Sequence, residues 1–322
     1  METIRIGTRG SALAMAQANL TRDLIVRKFP SVAVEIEVIK TQGDKDRVRS
    51  LVSFGGQGVF VKEIEEALLE KRIDLAVHSL KDVPDSMDSL LELSGFLKRE
   101  DFRDVLVSGG VRFSDLKPGA KIGTGSPRRV LQLKSLRPDL HCVNLRGNLP
   151  SRIDKVKSGE CDAILLGAAG LVRLEMSSLI TERFSIEKIT PAIGQGIIAL
   201  QSCVENKRAK EIAEGISDEA TVIAARTERR WMNLLGGGCR VPMGAVLESE
   251  PDSFCFTAYL ADPRDGRFLR RSQRFTALEL KSGEKLEKFA DEFMGESRRQ
   301  GILLPLETNG PEAISTFWES ER

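Results

Sequence analysis

The chain uses one construction repeatedly: an apolar strand, a glycine-rich turn carrying arginine, then a helix. GTRGSALA at 7–14 follows a short strand over 4–7, and Ser11 can cap the Ala/Leu-rich helix that runs toward Phe29, where Pro30 interrupts it. VAVEIEVIK at 32–40 alternates apolar and charged residues with the period of a strand. VFVKEIEEALLEKR then has helical periodicity, and DLAVHS is an apolar strand. Strand, helix, strand, helix, strand is the order of an α/β layer with parallel strands.

The same order restarts near residue 120. AKIGTG ends a strand, PRRVLQLKSL is a helix with Pro127 in its first turn, and HCVNLRG is another strand. SRIDKVKSGE is a short helix leading into DAILLGAAG, whose unbroken apolar start predicts burial on both faces. Two α/β lobes of similar size are expected, separated around residues 96–104. IIALQS at 197–202 is a further strand that either lobe could receive. After about residue 218 the pattern changes. DEATVIAARTERRWMNLL reads as a helix; AVLES, SFCFTAYLAD and RFLRRSQRF read as strands; LEKFADEFM supplies an apolar helical face. The expected fold class is α/β, with mixed, mainly parallel sheets in two lobes and a small C-terminal α+β domain.

Composition excludes several function classes. The 322 residues exceed one hydrophobic core. The balance of 48 Lys+Arg against 47 Asp+Glu gives no whole-molecule field for nucleic acid, so any cationic site must be local. No apolar run is long enough to span a membrane, and METIRIGTRG lacks the apolar core of a signal peptide. The five cysteines, at 142, 161, 203, 239 and 255, form no CxxC pair, which predicts a reducing cytoplasm. The two histidines, His78 and His141, have no cysteine at metal-ligand spacing, so no zinc site is expected.

Chemistry concentrates at the strand ends. In GTRGSALA a turn entering a helix offers free N–H groups as an anion nest, with Arg9 available for a charge-assisted contact; an ordinary Ser11 cap and a solvated Arg9 is the plain alternative. GTGSPRR at 123–129 places Thr124 and Ser126 at a strand end and two cations, Arg128 and Arg129, in the first helical turn, against the helix dipole. That cost is reasonable if both face a multiply anionic ligand, and surface salt bridges are the competing account. LRGNLPSR adds Arg146 and Arg152, and GAAGLVR adds Arg173; each could also pair locally or be solvated. Such ends line the ligand crevice of an open α/β sheet, and so many cations suit a ligand with many carboxylates. HSLKDVPD at 78–85 brings Lys81 and Asp82 to another strand end, where Asp82 could move a proton or stabilise a cation, or simply pair with Lys81. In LLGGGCRVPMG, Cys239 follows three glycines, an unusual setting for a structural thiol.

Over about residues 4–300 the chain resembles the porphobilinogen deaminase (hydroxymethylbilane synthase) family. The resemblance rests on RIGTRGSALAMAQ, GGQGVFVKEIEEALL, HSLKDVP, GTGSPRR, LRGNLPSR, DAILLGAAGL, PAIGQGIIAL and GGGCRVPMG, in that order and spacing. It implies a transferase that condenses porphobilinogen stepwise, on a dipyrromethane cofactor joined to Cys239 through a thioether. It gives Asp82 the catalytic role and Lys81 a neighbouring one. Arg9, Ser11, Thr124, Ser126, Arg128, Arg129, Arg146, Arg152 and Arg173 would bind the carboxylate-rich cofactor and growing chain. It further implies periplasmic-binding-protein-like lobes at 1–98 plus 194–216 and at 99–193, and a cofactor-attachment domain at 217–322. Porphobilinogen and the elongating polypyrrole are the expected partners of a cytoplasmic monomer that hands its product transiently to uroporphyrinogen-III synthase.

One segment departs from the family pattern. SFGGQG has Ser53 and Gln57 where the family's flexible segment often carries lysines, so direct lid-to-carboxylate salt bridges are in doubt unless Lys45 or Arg49 compensates. Two rivals stand beside the enzyme reading. A non-enzymatic anion-binding protein or regulator explains the arginines but not Asp82 with Cys239. A cysteine hydrolase would need one of two histidines distant in sequence to reach Cys239.

Overall fold

The computed structural model describes residues 2–41, 61–236 and 241–302. Lys45, Arg49, Ser53, Gln57 and Cys239 lie outside the described residues. The chain divides into two compact units, Met1–Glu100 with Gly196–Ala225, and Asp101–Gln195 with Arg226–Arg322.

The first unit is built on β1 (Glu2–Thr8), β2 (Val32–Val38), β3 (Leu75–Ser79), β4 (Leu91–Phe96) and β10 (Ile198–Cys203), in the spatial order β2-β1-β3-β10-β4. β1 pairs in parallel with β2 and β3, whereas β10 runs antiparallel to both β3 and β4. Four strands thus point one way, and IIALQS supplies the reversed one. Strand alternation sends Leu75 and Val77 to one face and Ala76 to the other. The first face packs on Ala18 and Ile25 of α1 (Ala12–Lys28) and on Ala209, Ile212 and Ala213 of α6 (Lys207–Gly215). The second packs on Ile64, Ala67 and Leu68 of α2 (Lys62–Leu69). Each fully buried Leu or Ile contributes roughly 1.5–3 kcal/mol, so the two covered faces stabilise the layer strongly.

The second unit repeats the design. β5 (Asp104–Val107), β6 (Lys121–Thr124), β7 (His141–Asn144), β8 (Ala163–Gly167) and β9 (Glu182–Arg183) lie in the order β7-β6-β8-β5-β9. β6 is parallel to β7 and β8, and β5 is antiparallel to β8 and β9. Leu106, Ile122 and Leu165 face Val130 and Leu133 of α3 (Pro127–Leu136). Val105, Ile164 and Leu166 face Ile153 of α4 (Leu149–Lys157) and Leu171 of α5 (Ala168–Arg173). The apolar run AILL is buried throughout, as a strand covered on both faces must be. Two mixed, mainly parallel sheets with helices on both faces are the α/β architecture expected from the sequence.

The antiparallel sheet β11 (Met243–Ser249), β12 (Phe254–Ala261) and β13 (Phe268–Phe275) belongs to the second unit as well. With the portion of α7 (Glu219–Leu234) from Arg226 onward, α8 (Ala277–Ser282) and α9 (Glu284–Arg299) it makes the small α+β part. Its core is aromatic: Trp231 lies 5.0 Å from Phe256 and 5.2 Å from both Phe289 and Phe293. Arg270 of β13 stacks over Tyr259 and donates to Thr190 Oγ1 at 2.9 Å and Gln132 Oε1 at 2.9 Å. These bonds fasten the antiparallel sheet to α3 and the 184–195 segment.

Candidate active site

In the first unit the chosen residues sit at the carboxyl ends of two adjacent strands. β1 ends at Thr8, and Arg9, half-buried, occupies the turn into α1. Ser11 is the N-cap of that helix, its side chain accepting from Ala14 N at 3.3 Å. β3 ends at Ser79, and a 3-10 turn over Leu80–Asp82 leaves Lys81 and Asp82 exposed. Buried Gln17 of α1 joins the two ends by donating to Ser79 Oγ at 2.9 Å. The turn itself is held by Leu80 N–H on Ile197 O at 3.0 Å and Val83 N–H on Leu80 O at 3.1 Å.

In the second unit three adjacent parallel strands, β7, β6 and β8, carry the rest. Thr124, at the end of β6, is buried and accepts from Ser126 N at 3.3 Å; Ser126 is the N-cap residue of α3. Arg146 is exposed in the turn after β7. Arg152 of α4 folds back to donate through Nε to Gly147 O at 2.8 Å, and Asn148 caps that helix. Gly147 has a φ of +107°, and a Cβ there would lie 2.3 Å from Ser151 Oγ, so this turn admits only glycine. Arg173, half-buried, closes α5 behind β8.

Arg128 and Arg129 are not on the surface. They are 4% and 6% exposed and flank Asp104, the wholly buried first residue of β5. Arg129 donates Nε and Nη2 to Asp104 Oδ1 at 3.0 and 2.6 Å, Nη1 to Leu165 O at 3.0 Å, and Nη2 to Gln195 Oε1 at 3.4 Å. Arg128 Nη1 is 2.8 Å from Asp104 Oδ2 and also donates to the Thr190 carbonyl. Burial would raise the Asp104 carboxyl, but the two guanidiniums outweigh it and hold that carboxyl well below the usual carboxylate range. Burial, reinforced by the neighbouring Arg129 charge, lowers Arg128, and Asp104 opposes it. Asp104 therefore explains how a helix tolerates two cations in its first turn. Asp104 and Gln195 are absent from the residues chosen by motif chemistry. The available signal was an acid heading the otherwise apolar run DVLV, and a glutamine inside PAIGQGIIAL.

Taken unit by unit, these residues define an α/β protein whose strand ends gather guanidiniums, hydroxyls and one exposed carboxylate, a donor set suited to a polycarboxylate. No group of three or more His, Cys, Asp or Glu among the described residues is placed to hold a metal. Residues 4–211 match the family model described as porphobilinogen deaminase, dipyromethane cofactor binding domain. The porphobilinogen deaminase of Geotalea uraniireducens is 42% identical over 261 residues, which are 81% of this chain and 82% of that protein. That of Caldicellulosiruptor saccharolyticus is 44% identical over 81% of this chain and 90% of its own length. A periplasmic VFT2 domain of Bordetella pertussis BvgS aligns over 71% of this chain and 91% of its own at 15% identity and a TM-score of 0.40. The chain belongs to the porphobilinogen deaminase family.

Proposed function

We propose that this protein is a porphobilinogen deaminase, a transferase of tetrapyrrole biosynthesis that joins four porphobilinogen molecules with loss of ammonia and releases 1-hydroxymethylbilane with water. The observation that carries this reading is the set of arginines beyond the ends of β7 and β8, Arg146, Arg152 and Arg173, together with the exposed Asp82 carboxylate just past the end of β3. An anion-binding regulator would use the first and leave the second without a task.

The guanidiniums and hydroxyls at these strand ends fit a dipyrromethane bearing acetate and propionate groups. Arg9, Ser11, Lys81, Asp82, Thr124, Ser126, Arg146, Arg152 and Arg173 would hold it. Arg128 and Arg129, committed to Asp104, would add positive field and set the shape of the β6 turn. When bound through a thioether to Cys239, the group supplies a pyrrole with a free α-carbon to which substrate units are joined. Asp82 would move the proton that accompanies breaking of the substrate C–N bond, whose electron pair leaves with ammonia. The same carboxylate would stabilise the positively charged pyrrolic species left from the substrate. The arginines would orient carboxylates and limit their mutual repulsion as the chain lengthens.

The remaining parts of the reading follow from the same family membership. The protein would act as a cytoplasmic monomer with a three-part organisation at 1–98 plus 194–216, 99–193 and 217–322, handing its product to uroporphyrinogen-III synthase. No described helix is long and apolar enough to cross a membrane. The test is intact-mass and peptide mass spectrometry of the active protein. A dipyrromethane adduct on Cys239, lost in folded Cys239→Ala, is the expected result. Active protein without the adduct, or with it on another cysteine, overturns the attachment; absence of hydroxymethylbilane formation overturns the function.

A further inference from the structure

The turn that presents Asp82 has two stems, and one buried side chain outside all the motif-derived sites touches both. Gln201, on β10, is fully buried. Its Oε1 lies 2.9 Å from Nε2 of His78, four residues before Asp82 on β3. Its Nε2 donates to Glu65 Oε1 of α2 at 2.8 Å and lies 3.4 Å from Met87 Sδ, five residues after Asp82. The register brings these atoms together: His78 pairs with Ala199, so Gln201 stands two residues along the antiparallel neighbour on the same sheet face.

The direction of the hydrogen bonds is determined. The Gln201 amide nitrogen donates to Glu65, so its carbonyl faces His78. His78 must then carry its proton on Nε2. Burial, partly offset by the Gln201 bond, pushes the His78 imidazole down to about 4, so it is neutral near pH 7. Burial, with Asp88 nearby, raises the Glu65 carboxyl, and the Gln201 amide opposes that rise.

We infer that Gln201 is a positioning residue: by clasping His78 on one stem and Met87 on the other, and resting on Glu65, it closes the loop that aims Asp82. Gln201 touches neither the Asp82 side chain nor any group at the strand ends, so it acts only through the backbone between the stems. A displacement of a reacting group by an ångström costs up to about 100-fold in rate, and opening such a loop produces displacements of that order. This inference rests on the proposed deaminase reaction, with Asp82 as its proton-moving carboxylate.

The experiment compares the full-length cofactor-bearing parent with Gln201→Leu, Gln201→Glu and the double variant Glu65→Gln/Gln201→Glu. Gln201→Leu strands buried His78 and half-buried Glu65 and Met87, and Gln201→Glu sets two carboxylates together. The double variant restores the hydrogen bonds to His78 and to residue 65 with the acid and amide exchanged, but not the one to Met87 Sδ, to which a carboxylate has nothing to donate. Single-turnover measurements should show condensation slowed about 10- to 100-fold in both single variants, substrate affinity changed less than about threefold, and the double variant faster than Gln201→Glu but short of the parent, because the bond to Met87 is still missing. Because the chain has only two histidines, 15N-histidine spectra read the His78 tautomer independently of activity: Nε2–H in the parent and the double variant. Condensation within about threefold of the parent in folded Gln201→Leu overturns the inference. A parent that makes no hydroxymethylbilane overturns the proposed function instead, leaving the tautomer result to stand by itself.

Discussion

Asp82 is exposed in the turn after β3, and His78, four residues earlier on that strand, is buried. Its imidazole titrates near 4 when folded and near 6.5 when unfolded, so between those values the unfolded chain binds the extra proton. Stability contributed by the neutral ring is present in full above pH 6.5 and declines as pH falls toward 4. The loss amounts to about 2 kcal/mol by pH 5. Glu65 pulls the other way, since a carboxyl raised on folding adds stability as pH falls. Urea unfolding of the parent and of His78→Gln at pH 7 and pH 5 isolates the histidine part. The gap between the two proteins should shift by about 2 kcal/mol across that range, and an unchanged gap would mean that the buried ring does not carry the linkage. His78 was legible in sequence only as a residue too isolated to bind zinc, because a hydrogen bond to Gln201, 123 positions away, leaves no local trace. The buried triad of Asp104, Arg128 and Arg129 makes the same point: GTGSPRR displayed the cations, while their counter-charge lies 25 positions before Arg129 and outside any motif.

Elements were far easier to read than their partners. β2 and α2 follow directly from period-2 and period-3.6 patterns, whereas β1, β3 and β10 read as short apolar strands and α1 is marked by its Ser11 cap and Ala/Leu content. β5 has four residues and begins with a charge, and β9 has two, so neither offers enough alternation to be recognised. GGGCRVPMG, read as a cofactor loop, turns out to be partly an element of packing. Its last residue, Gly244 on β11, has Pro191 O 2.5 Å and Thr190 O 2.9 Å from where a Cβ would stand. β11 lies so close to that segment that backbone carbonyls, which cannot rotate away, occupy the space. Gly244→Ala should therefore cost about 1–3 kcal/mol, read as a lowered urea midpoint with an unchanged slope. A midpoint equal to the parent's would show that β11 can lift off the segment at no cost.

At the scale of the whole molecule, net charge conceals the site. A balance of 48 basic and 47 acidic residues describes a nearly neutral protein, yet its cations recur at one end of each parallel layer. Fold class was legible because layer order is written along the chain. The placement of β10 was not, since IIALQS reads as a strand for either sheet and only its antiparallel pairing with β3 and β4 decides.

That placement dictates an order of events on the ribosome. Every strand of the second five-stranded sheet comes from residues 104–183, an uninterrupted stretch. The first sheet cannot join β4 to β3 until Ile198–Cys203 has been made, because β10 lies between them. The first hundred or so residues thus wait, incomplete, while a later-synthesised layer can already close. Nascent chains stalled with residue 195 clear of the exit tunnel should yield a protease-resistant fragment near 101–195 and a digestible amino-terminal region. Chains stalled past residue 225 should protect both. Early protection of residues 2–96 would mean that β4 finds a temporary partner before its permanent one exists.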